Sequence, residues 1–284
     1  MKLYTFEVQG RQRVGVERAG QIVDFSDSNA PQTMLDLIRA GVNGLAAARD
    51  VLQNGKTIHA LADVRLLAPI PRPGKILCSG LNYKSHIEEN PAAKFLEDPR
   101  FFAKLPNCVI GPQQPIRTPG AKFQVDYEVE LAVVIGALLP QGTAQDQIMD
   151  HIFGYTIFHD VSARWIQFKD NNETMGKNFD TFAPMGPCIV TADEIPDPAT
   201  LRLSLHLNGQ TMQDHTNADW CFPLLRLISW LSMAMTLEPG DVVTTGTPAG
   251  VGYFRNPQVF LQPGDVCVLE IEGIGRLENP VATA

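Results

Sequence analysis

Two glutamates, Glu128 and Glu130, lie one residue apart in a run that has the pattern of a β-strand. Apolar residues alternate along this run as far as Ile135, and Gly136 ends it. Side chains two residues apart on a strand point to the same face, so the two carboxylates should lie side by side. Burying them is costly without a counter-charge, which a divalent cation can supply. The alternative is a half-exposed strand whose glutamates face solvent.

The composition limits the class of partner. The chain has 23 basic and 31 acidic residues and a net charge of −8, which argues against nucleic acid or an anionic membrane as a partner. No run approaches the ~20 apolar residues that a membrane helix needs, and the first residues lack an apolar signal core. The five cysteines are scattered without a C-x-x-C pair, which is typical of reduced thiols. We therefore expect a cytoplasmic protein.

The first 70 residues have the pattern of a small α+β unit. Strand-like runs at 4–8, 13–17 and 21–25 precede helical patterns at 33–40 and 45–52. Three prolines between Ala68 and Gly74 then predict a linker. We therefore predict an N-terminal domain over residues 1–70 and a larger domain over residues 71–284.

The larger domain is predicted to be rich in strands. A helix is predicted at 222–237 and a short one at 163–168. The strand-like runs are 75–79, 128–135, 154–159, 188–191, 202–207, 242–245 and 266–271. The fold class is therefore α+β, with β-structure dominant.

A third carboxylate, Asp160, ends the strand-like run 154–159. Together with Glu128 and Glu130 it would suit a hard cation, Mg²⁺ or Mn²⁺. Zinc is a poorer match because no cysteine or histidine cluster accompanies these residues. The alternative is that Asp160 caps the short helix that follows it.

His86 and Glu89 are three residues apart, so on a helical turn over residues 83–89 their side chains can touch. A carboxylate that holds one imidazole nitrogen leaves the other as a base near neutral pH. The alternative is a surface turn with an incidental contact. The downstream residues Phe95, Phe101 and Phe102 are typical of a lid.

Two glycine-rich stretches carry further candidates. Lys177 could stabilise an oxyanion or an enolate, although a loop lysine is usually solvated. The stretch from Gly246 to Gly252 lacks a nucleotide-binding pattern. It could present backbone N–H groups and the Thr247 hydroxyl to a ligand carboxylate, or it could be a simple turn.

Taken together, residues 75–281 resemble the fumarylacetoacetate hydrolase family. The motifs that carry the resemblance are, in order, Gly80-Leu-Asn-Tyr with His86, Tyr127-Glu-Val-Glu-Leu, Asp160-Val-Ser-Ala-Arg with Gln167, Gly176-Lys-Asn-Phe-Asp-Thr, Thr244-Thr-Gly-Thr-Pro-Ala-Gly-Val-Gly252 and Ile271-Glu-Gly-Ile-Gly275. One departure is Trp165, where the family often has an acidic residue. The resemblance implies a β-roll of mixed sheets, a small N-terminal domain and a homodimer.

The resemblance also implies roles for particular residues. The metal ligands would be Glu128, Glu130 and Asp160, and the metal Mg²⁺ or Mn²⁺. The acylpyruvate-hydrolase-like branch has a lid with a His–Glu dyad, which corresponds to His86 and Glu89. The remaining site residues would be Lys177 as the catalytic lysine and Asn82, Tyr83, Gln167 and Thr247 as substrate contacts.

The function implied is metal-dependent hydrolysis of a C–C bond in a 2,4-diketo acid, with a small 2-oxo acid bound through the metal. His86 would take a proton from the attacking water, and Lys177 would stabilise the oxyanion. Two alternatives remain open. One is decarboxylation or isomerisation of an oxo-diacid such as oxaloacetate, and the other is a non-catalytic module that binds a carboxylate metabolite.

Overall fold

The computed structural model describes residues 1–284, with the side chain of residue 170 excepted. The strands are β1 Lys2–Val8, β2 Arg11–Arg18, β3 Gln21–Asp24, β4 Ile58–Ala60, β5 Arg65–Leu66, β6 Ile76–Gly80, β7 Arg100–Lys104, β8 Val109–Ile110, β9 Ile116–Thr118, β10 Val125–Asp126, β11 Val129–Ile135, β12 Ile152–His159, β13 Ser162–Ala163, β14 Ala183–Thr191, β15 Arg202–Leu207, β16 Gln210–Thr216, β17 Val242–Thr244, β18 Val266–Ile271 and β19 Gly275–Thr283. The α-helices are α1 Met34–Arg39, α2 Gly41–Asn54, α3 Lys84–Glu88, α4 Arg164–Phe168, α5 Glu173–Lys177 and α6 Leu224–Ala234.

The strands form two principal mixed sheets. The larger sheet has the order β4-β3-β2-β1-β14-β12-β11-β17-β6-β7, with β5 beside β1 and β8 beside β14. Most neighbours in it are antiparallel, but β17 runs parallel to β6. The second sheet has the order β16-β15-β18-β19-β9, in which β19 and β9 are parallel. The predicted β-rich α+β fold with mixed sheets is therefore confirmed.

The N-terminal strands belong to the larger sheet. Strand β1 pairs with β14, where Leu3 lies opposite Ile189. The Thr5 hydroxyl donates to the carbonyl oxygen of Pro69 at 2.6 Å, so this strand also contacts the proline-rich segment. The sheet is thus continuous across residue 70, and the division into domains 1–70 and 71–284 stays a prediction.

Strand β11 lies between two hydrophobic clusters and is buried along its whole length. Val129 and Leu131 pack in one cluster, whereas Ala132 and Val134 pack in the other. Strands with both faces covered read as continuous apolar runs, which explains why no polar residue follows Glu130 before the strand ends. Its neighbours β12 and β17 fix its position in the middle of the sheet.

Helix α6 is shorter than the helix predicted over 222–237, because it begins after Pro223 and ends at Ala234. Leu227, Ile228 and Leu231 on its inner face are buried, as the apolar pattern predicts. Among the described residues, no helix has the length and apolar character required to cross a membrane.

Candidate metal centre and active site

Three carboxylates meet where β11 pairs with β12. Val129 lies opposite His159 in this antiparallel pair, and the N–H of Asp160 donates to the Glu128 carbonyl oxygen at 3.0 Å. Glu130 lies two residues further along and shares the face of Glu128. One carboxylate oxygen from each of Glu128, Glu130 and Asp160 lies within 4.8 Å of the others. The pairing register of two buried strands therefore builds this cluster.

Burial decides between the alternatives left open by the sequence. Glu128 is 4% exposed and Glu130 is 2% exposed, so the alternative of a solvent-facing strand is wrong. Asp160 is fully buried, and helix α4 has Ala163 at its N-cap without a side-chain bond. The alternative of a helix cap at Asp160 is therefore also wrong.

Three buried cations balance two of these carboxylates. Glu128 accepts from Arg164 Nη2 at 2.6 Å through Oε1 and from Lys177 Nζ at 2.7 Å through Oε2. Asp160 accepts from Lys104 Nζ through Oδ1 and from Lys177 Nζ through Oδ2, both at 2.6 Å. Lys177 is 2% exposed, so the alternative of a solvated loop lysine is wrong. Buried charges are stable only when they are paired in this way.

Glu130 differs from the other two carboxylates because no cation among the described residues forms an ion pair with it. Its Oε2 is buried and has no hydrogen-bond partner among the described residues. Burial raises the pKa of Glu130 well above its usual range, and the charges of Asp160 and Glu128 raise it further. A divalent cation would supply the missing positive charge, and carboxylate oxygens are the donors that Mg²⁺ and Mn²⁺ prefer. The residues present therefore fit a hard cation.

The pKa of Glu128 shifts in the opposite direction. Burial alone would raise the pKa, but the charges of Arg164 and Lys177 outweigh burial and hold it well below its usual range. For Lys177, burial alone would lower the pKa, but the charges of Asp160 and Glu128 outweigh burial and raise the pKa above its usual range. At neutral pH, Glu128 is thus ionised and Lys177 protonated.

His86 and Glu89 form the predicted pair at the C-terminal end of α3. His86 Nδ1 lies 2.6 Å from Glu89 Oε1, and Glu89 Oε2 accepts from the Gly250 N–H at 2.7 Å. His86 is 8% exposed and lies beside Phe254, so this contact is not an incidental one on the surface. Because Glu89 accepts a hydrogen bond from the Nδ1–H group, Nε2 is left as the nitrogen that can take a proton.

One cavity brings most of the predicted site residues together. Its lining includes His86, Glu128, Glu130, Asp160, Gln167, Lys177 and Thr247. Glu89 lies behind His86 and fixes its ring. Gln167 Oε1 accepts from Arg164 Nη1 at 3.0 Å, and the Thr247 hydroxyl donates to the Val129 carbonyl oxygen at 2.9 Å. Their roles as substrate contacts stay predictions.

Asn82 and Tyr83 are placed differently, since neither is among the described residues that line this cavity. The Asn82 amide donates to the Thr245 carbonyl oxygen at 2.9 Å and accepts from the Phe222 N–H at 2.8 Å. The Tyr83 hydroxyl donates to Asn217 Oδ1 at 2.5 Å. Both side chains are fully buried, and these bonds attach the start of α3 to two neighbouring segments.

The glycine-rich stretch 246–252 is held by carboxylates of the chain itself. The N–H groups of Gly252 and Tyr253 donate to Asp126 at 2.7 and 3.0 Å, and that of Gly250 donates to Glu89. Asp126 also accepts from Arg164 Nε at 2.9 Å. This loop therefore joins the His–Glu pair to the carboxylate cluster, and those N–H groups are occupied by protein acceptors.

The sequence interpretation missed three buried residues, Lys104, Asp126 and Arg164. A usable signal existed for Arg164, which follows Asp160 within the same motif, and for Asp126, which precedes Glu128 by two residues. Lys104 gave no such signal, because only the pairing of β7 with β6 brings it into the interior. Its ion pair with Asp160 is a long-range contact.

The comparisons with known proteins agree with this geometry. Residues 75–282 match the model of the fumarylacetoacetate hydrolase C-terminal family. The mitochondrial oxaloacetate tautomerase of Xenopus laevis is 42% identical over 277 residues, which cover 95% of this chain and 86% of that protein. The fumarylacetoacetate hydrolase of Exiguobacterium antarcticum has a TM-score of 0.86 and 37% identity, with both chains fully covered.

A further solved structure bears on the metal. The maleylpyruvate hydrolase of Sphingobium sp. SYK-6, in complex with manganese(II) and pyruvate, has a TM-score of 0.84 and 31% identity over both whole chains. The chain therefore belongs to the fumarylacetoacetate hydrolase family, as its motifs predict, and its buried acidic cluster is suited to a metal ion. Homodimerisation and a cytoplasmic location stay predictions, and the Xenopus relative is named as mitochondrial.

Proposed function

We propose that this member of the fumarylacetoacetate hydrolase family is a metal-dependent isomerase that interconverts the keto and enol forms of an oxo-diacid such as oxaloacetate. The observation that carries the proposal is the His86–Glu89 pair, which shares one cavity with the buried carboxylate cluster. Such a pair is suited to proton transfer at a carbon beside a carbonyl group. The names of relatives that are 40% and 42% identical to this chain support the same reaction.

Glu128, Glu130 and Asp160 would hold the metal, which we propose to be Mg²⁺ or Mn²⁺. When bound, such an ion polarises a carbonyl oxygen and stabilises negative charge that develops on it. Lys104 donates to Asp160 and Arg164 donates to Glu128, both at 2.6 Å, so hydrogen bonds within the protein orient two of the three proposed ligands. Pre-oriented carboxylates of this kind need little rearrangement on binding.

His86 is the proposed base. Glu89 keeps the proton on Nδ1, so Nε2 removes a proton from the carbon next to the keto group. The C–H electron pair forms the C=C bond of the enol, and the carbonyl π electrons move to oxygen. The imidazolium then returns its proton to that oxygen, which completes the tautomerisation without a co-reactant.

Lys177 is the proposed electrostatic partner of that oxygen. Its ammonium group is buried between Glu128 and Asp160 and stays protonated at neutral pH. A preorganised positive charge in a site shielded from water stabilises a developing negative charge more strongly than the same charge in bulk solvent. Because Lys177 remains a cation, it does not compete with His86 for the transferred proton.

The test follows the ultraviolet absorbance of enol-oxaloacetate in the presence of Mg²⁺, with a protein-free Mg²⁺ solution as the blank. We expect His86→Asn to lower kcat by about 10²–10⁴-fold, the usual contribution of a general base. His215→Asn in β16 is the matched control, since this histidine does not line the cavity among the described residues. A His86→Asn protein with an unchanged rate would contradict the proposal.

Hydrolysis of an acylpyruvate is the second candidate, supported by the maleylpyruvate hydrolase structure that contains manganese(II) and pyruvate. In that reaction His86 would take its proton from water, which attacks the distal carbonyl. Pyruvate release from maleylpyruvate, measured with lactate dehydrogenase and NADH, separates the two reactions. An isomerase consumes the enol of oxaloacetate without forming pyruvate, whereas a decarboxylase forms pyruvate from oxaloacetate itself. Ligand binding without any of these reactions would indicate the non-catalytic alternative.

A further inference from the structure

We propose that Arg100 determines substrate specificity by binding the second carboxylate of an oxo-diacid at the mouth of the cavity. The inference rests on the proposed function, because it names which oxo acids the same site prefers. Arg100 begins β7 and is among the residues that line the cavity. The sequence patterns alone did not indicate a role for Arg100.

The row of side chains on β7 leads from the carboxylate cluster to Arg100. Lys104, Phe102 and Arg100 alternate along the strand and therefore share one face. Lys104 Nζ lies 2.6 Å from Asp160, and the Phe102 ring centroid lies 4.8 Å from Lys177 Nζ. Two residues of a strand span about 6.6 Å, so Arg100 is the next group outward beyond Phe102.

The neighbouring strand leaves room for this side chain. Gly80 lies opposite Arg100 in the pairing of β6 with β7. A β-carbon added to Gly80 would lie 3.9 Å from Arg100 Cδ and 3.9 Å from Phe102 Cε1. Because Gly80 has no side chain, the space above the aliphatic part of the Arg100 side chain stays open toward the cavity.

Arg100 has donors to spare, unlike the deeper cations. Its Nη2 donates to Glu173 Oε1 at 2.6 Å, which is the one hydrogen bond of this guanidinium among the described residues. Glu173 on α5 thereby orients the group, and Nε and Nη1 remain for another acceptor. Lys177 and Arg164 each form ion pairs with two carboxylates of the protein, so they have less capacity to bind the distal carboxylate of a substrate.

The chemistry selects a carboxylate as that acceptor. A guanidinium offers a planar pair of donors that matches a carboxylate, and such charge-assisted bonds are stronger than neutral ones. In extended oxaloacetate the outer carbons lie about 4 Å apart, and the hydrogen bond from the distal carboxylate to a guanidinium adds about 3 Å, so the diacid together with this bond spans about one step of the side-chain row. The diacid would thus reach from the metal ligands to Arg100, whereas a 2-oxo monoacid would leave Arg100 unused.

The experiment compares Arg100→Met with the wild-type protein, both loaded with Mg²⁺, by calorimetry with two ligands. Oxaloacetate and 2-oxobutyrate are a matched pair, because a methyl group replaces the distal carboxylate in the second. We expect Arg100→Met to weaken oxaloacetate binding about 10- to 100-fold and to change 2-oxobutyrate binding by less than about twofold. Arg202→Met is the matched control, since Arg202 pairs with Asp214 on the second sheet.

Two outcomes would overturn the inference: equal weakening of both ligands, or no weakening of either. Arg100→Lys should recover part of the preference for the diacid, because it restores the charge without the planar pair of donors. The calorimetric preference is independent of turnover. A protein that prefers oxaloacetate through Arg100 but does not tautomerise it would overturn the proposed function and leave this inference standing.

Discussion

The ammonium group of Lys177 lies 2.6 Å from Oδ2 of Asp160, and both side chains are almost completely shielded from solvent. Lys177 also contacts Glu128 at 2.7 Å, so one cation joins two of the three proposed metal ligands. A divalent ion that approaches the same carboxylates therefore meets a fixed positive charge. This arrangement couples the charge of Lys177 to metal affinity as well as to catalysis.

We predict that Lys177→Met binds Mg²⁺ more tightly than the wild-type protein and yet loses most of its isomerase activity. Removal of the ammonium group takes away repulsion of the ion and leaves Oε2 of Glu128 and Oδ2 of Asp160 without their buried donor, while Arg164 and Lys104 keep the other two oxygens paired. The metal-free variant should therefore be about 3–5 kcal/mol less stable. Calorimetric titration with Mg²⁺ and urea unfolding with and without the ion measure both effects.

The matched control is Lys75→Met, whose ammonium group is about one-third exposed and pairs with Glu238 and Asp241 away from the cavity. Its Mg²⁺ affinity should equal that of the wild-type protein. Weaker Mg²⁺ binding by Lys177→Met would contradict the prediction, since it would make Lys177 a support for the metal site and not a competing charge.

The pH dependence of metal binding should follow Glu130. Burial and the charges of Asp160 and Glu128 raise its pKa, so the metal-free protein favours the protonated form. A group whose pKa is raised on folding contributes stability at low pH, and this is lost as the pH rises through the folded pKa. The ion replaces that proton, so the Tm gained on adding Mg²⁺ should increase as the pH rises above the usual titration range of a glutamate.

Thermal unfolding at several pH values, with Mg²⁺ and with EDTA, measures this gain. Glu130→Gln should abolish it, because an amide cannot lose a proton to make way for the ion. Glu272→Gln, at an exposed position outside the cavity lining, is the control that should keep the wild-type profile. A Tm gain that is independent of pH would contradict the prediction, because it would mean that no proton is released when the ion binds.

The sequence predicted the parts of the site that depend on local geometry. The same-face placement of Glu128 and Glu130 follows from strand periodicity, and the contact between His86 and Glu89 follows from helical spacing. The family motifs brought in Asp160 and Lys177, which local patterns alone left ambiguous. The placement of the two glutamates and the contact between His86 and Glu89 were predictable because each depends on a few neighbouring residues.

The parts that the sequence did not predict depend on pairing between distant strands. Lys104 reaches Asp160 across 56 positions because β7 pairs with β6 at the edge of the larger sheet. Asn82 and Tyr83 lie inside a conspicuous motif, but their hydrogen bonds join α3 to Phe222 and Asn217. A motif identifies which residues matter, whereas long-range packing decides whether they face the cavity or support it.

Glu89 is predicted to act through His86. Glu89→Gln keeps a side chain of the same size and an oxygen for the Gly250 N–H, but removes the charge that holds His86 in one tautomer. We expect kcat to fall about 100-fold, with little change in Mg²⁺ affinity.

Enol-oxaloacetate kinetics measure the rate, and calorimetric titration with Mg²⁺ measures the affinity. Glu88→Gln, the neighbouring and exposed glutamate on α3, is the matched control. An unchanged kcat in Glu89→Gln would contradict the prediction, and weaker Mg²⁺ binding by this variant would make Glu89 a support for the metal site.

Arg164 is predicted to be the main electrostatic support of the site. It donates to Asp126 at 2.9 Å, to Glu128 at 2.6 Å and to Gln167 at 3.0 Å, and it is 3% exposed. Arg164→Met would leave two buried carboxylates without their shared partner, so the free energy of unfolding should fall by about 3–5 kcal/mol. Urea denaturation of the metal-free protein measures this loss.

The double variant Arg164→Met with Asp126→Asn tests whether unpaired charge causes the loss of stability in Arg164→Met. Asp126 is buried and its pKa is raised by burial despite the nearby Arg164, so its negative charge is costly once the arginine is gone. Removing that charge should recover part of the stability lost in Arg164→Met, although Asp126→Asn alone is destabilising because Gly252 and Tyr253 also donate to this carboxylate. Additive losses in the double variant would show that Arg164 stabilises the protein through packing and not through charge.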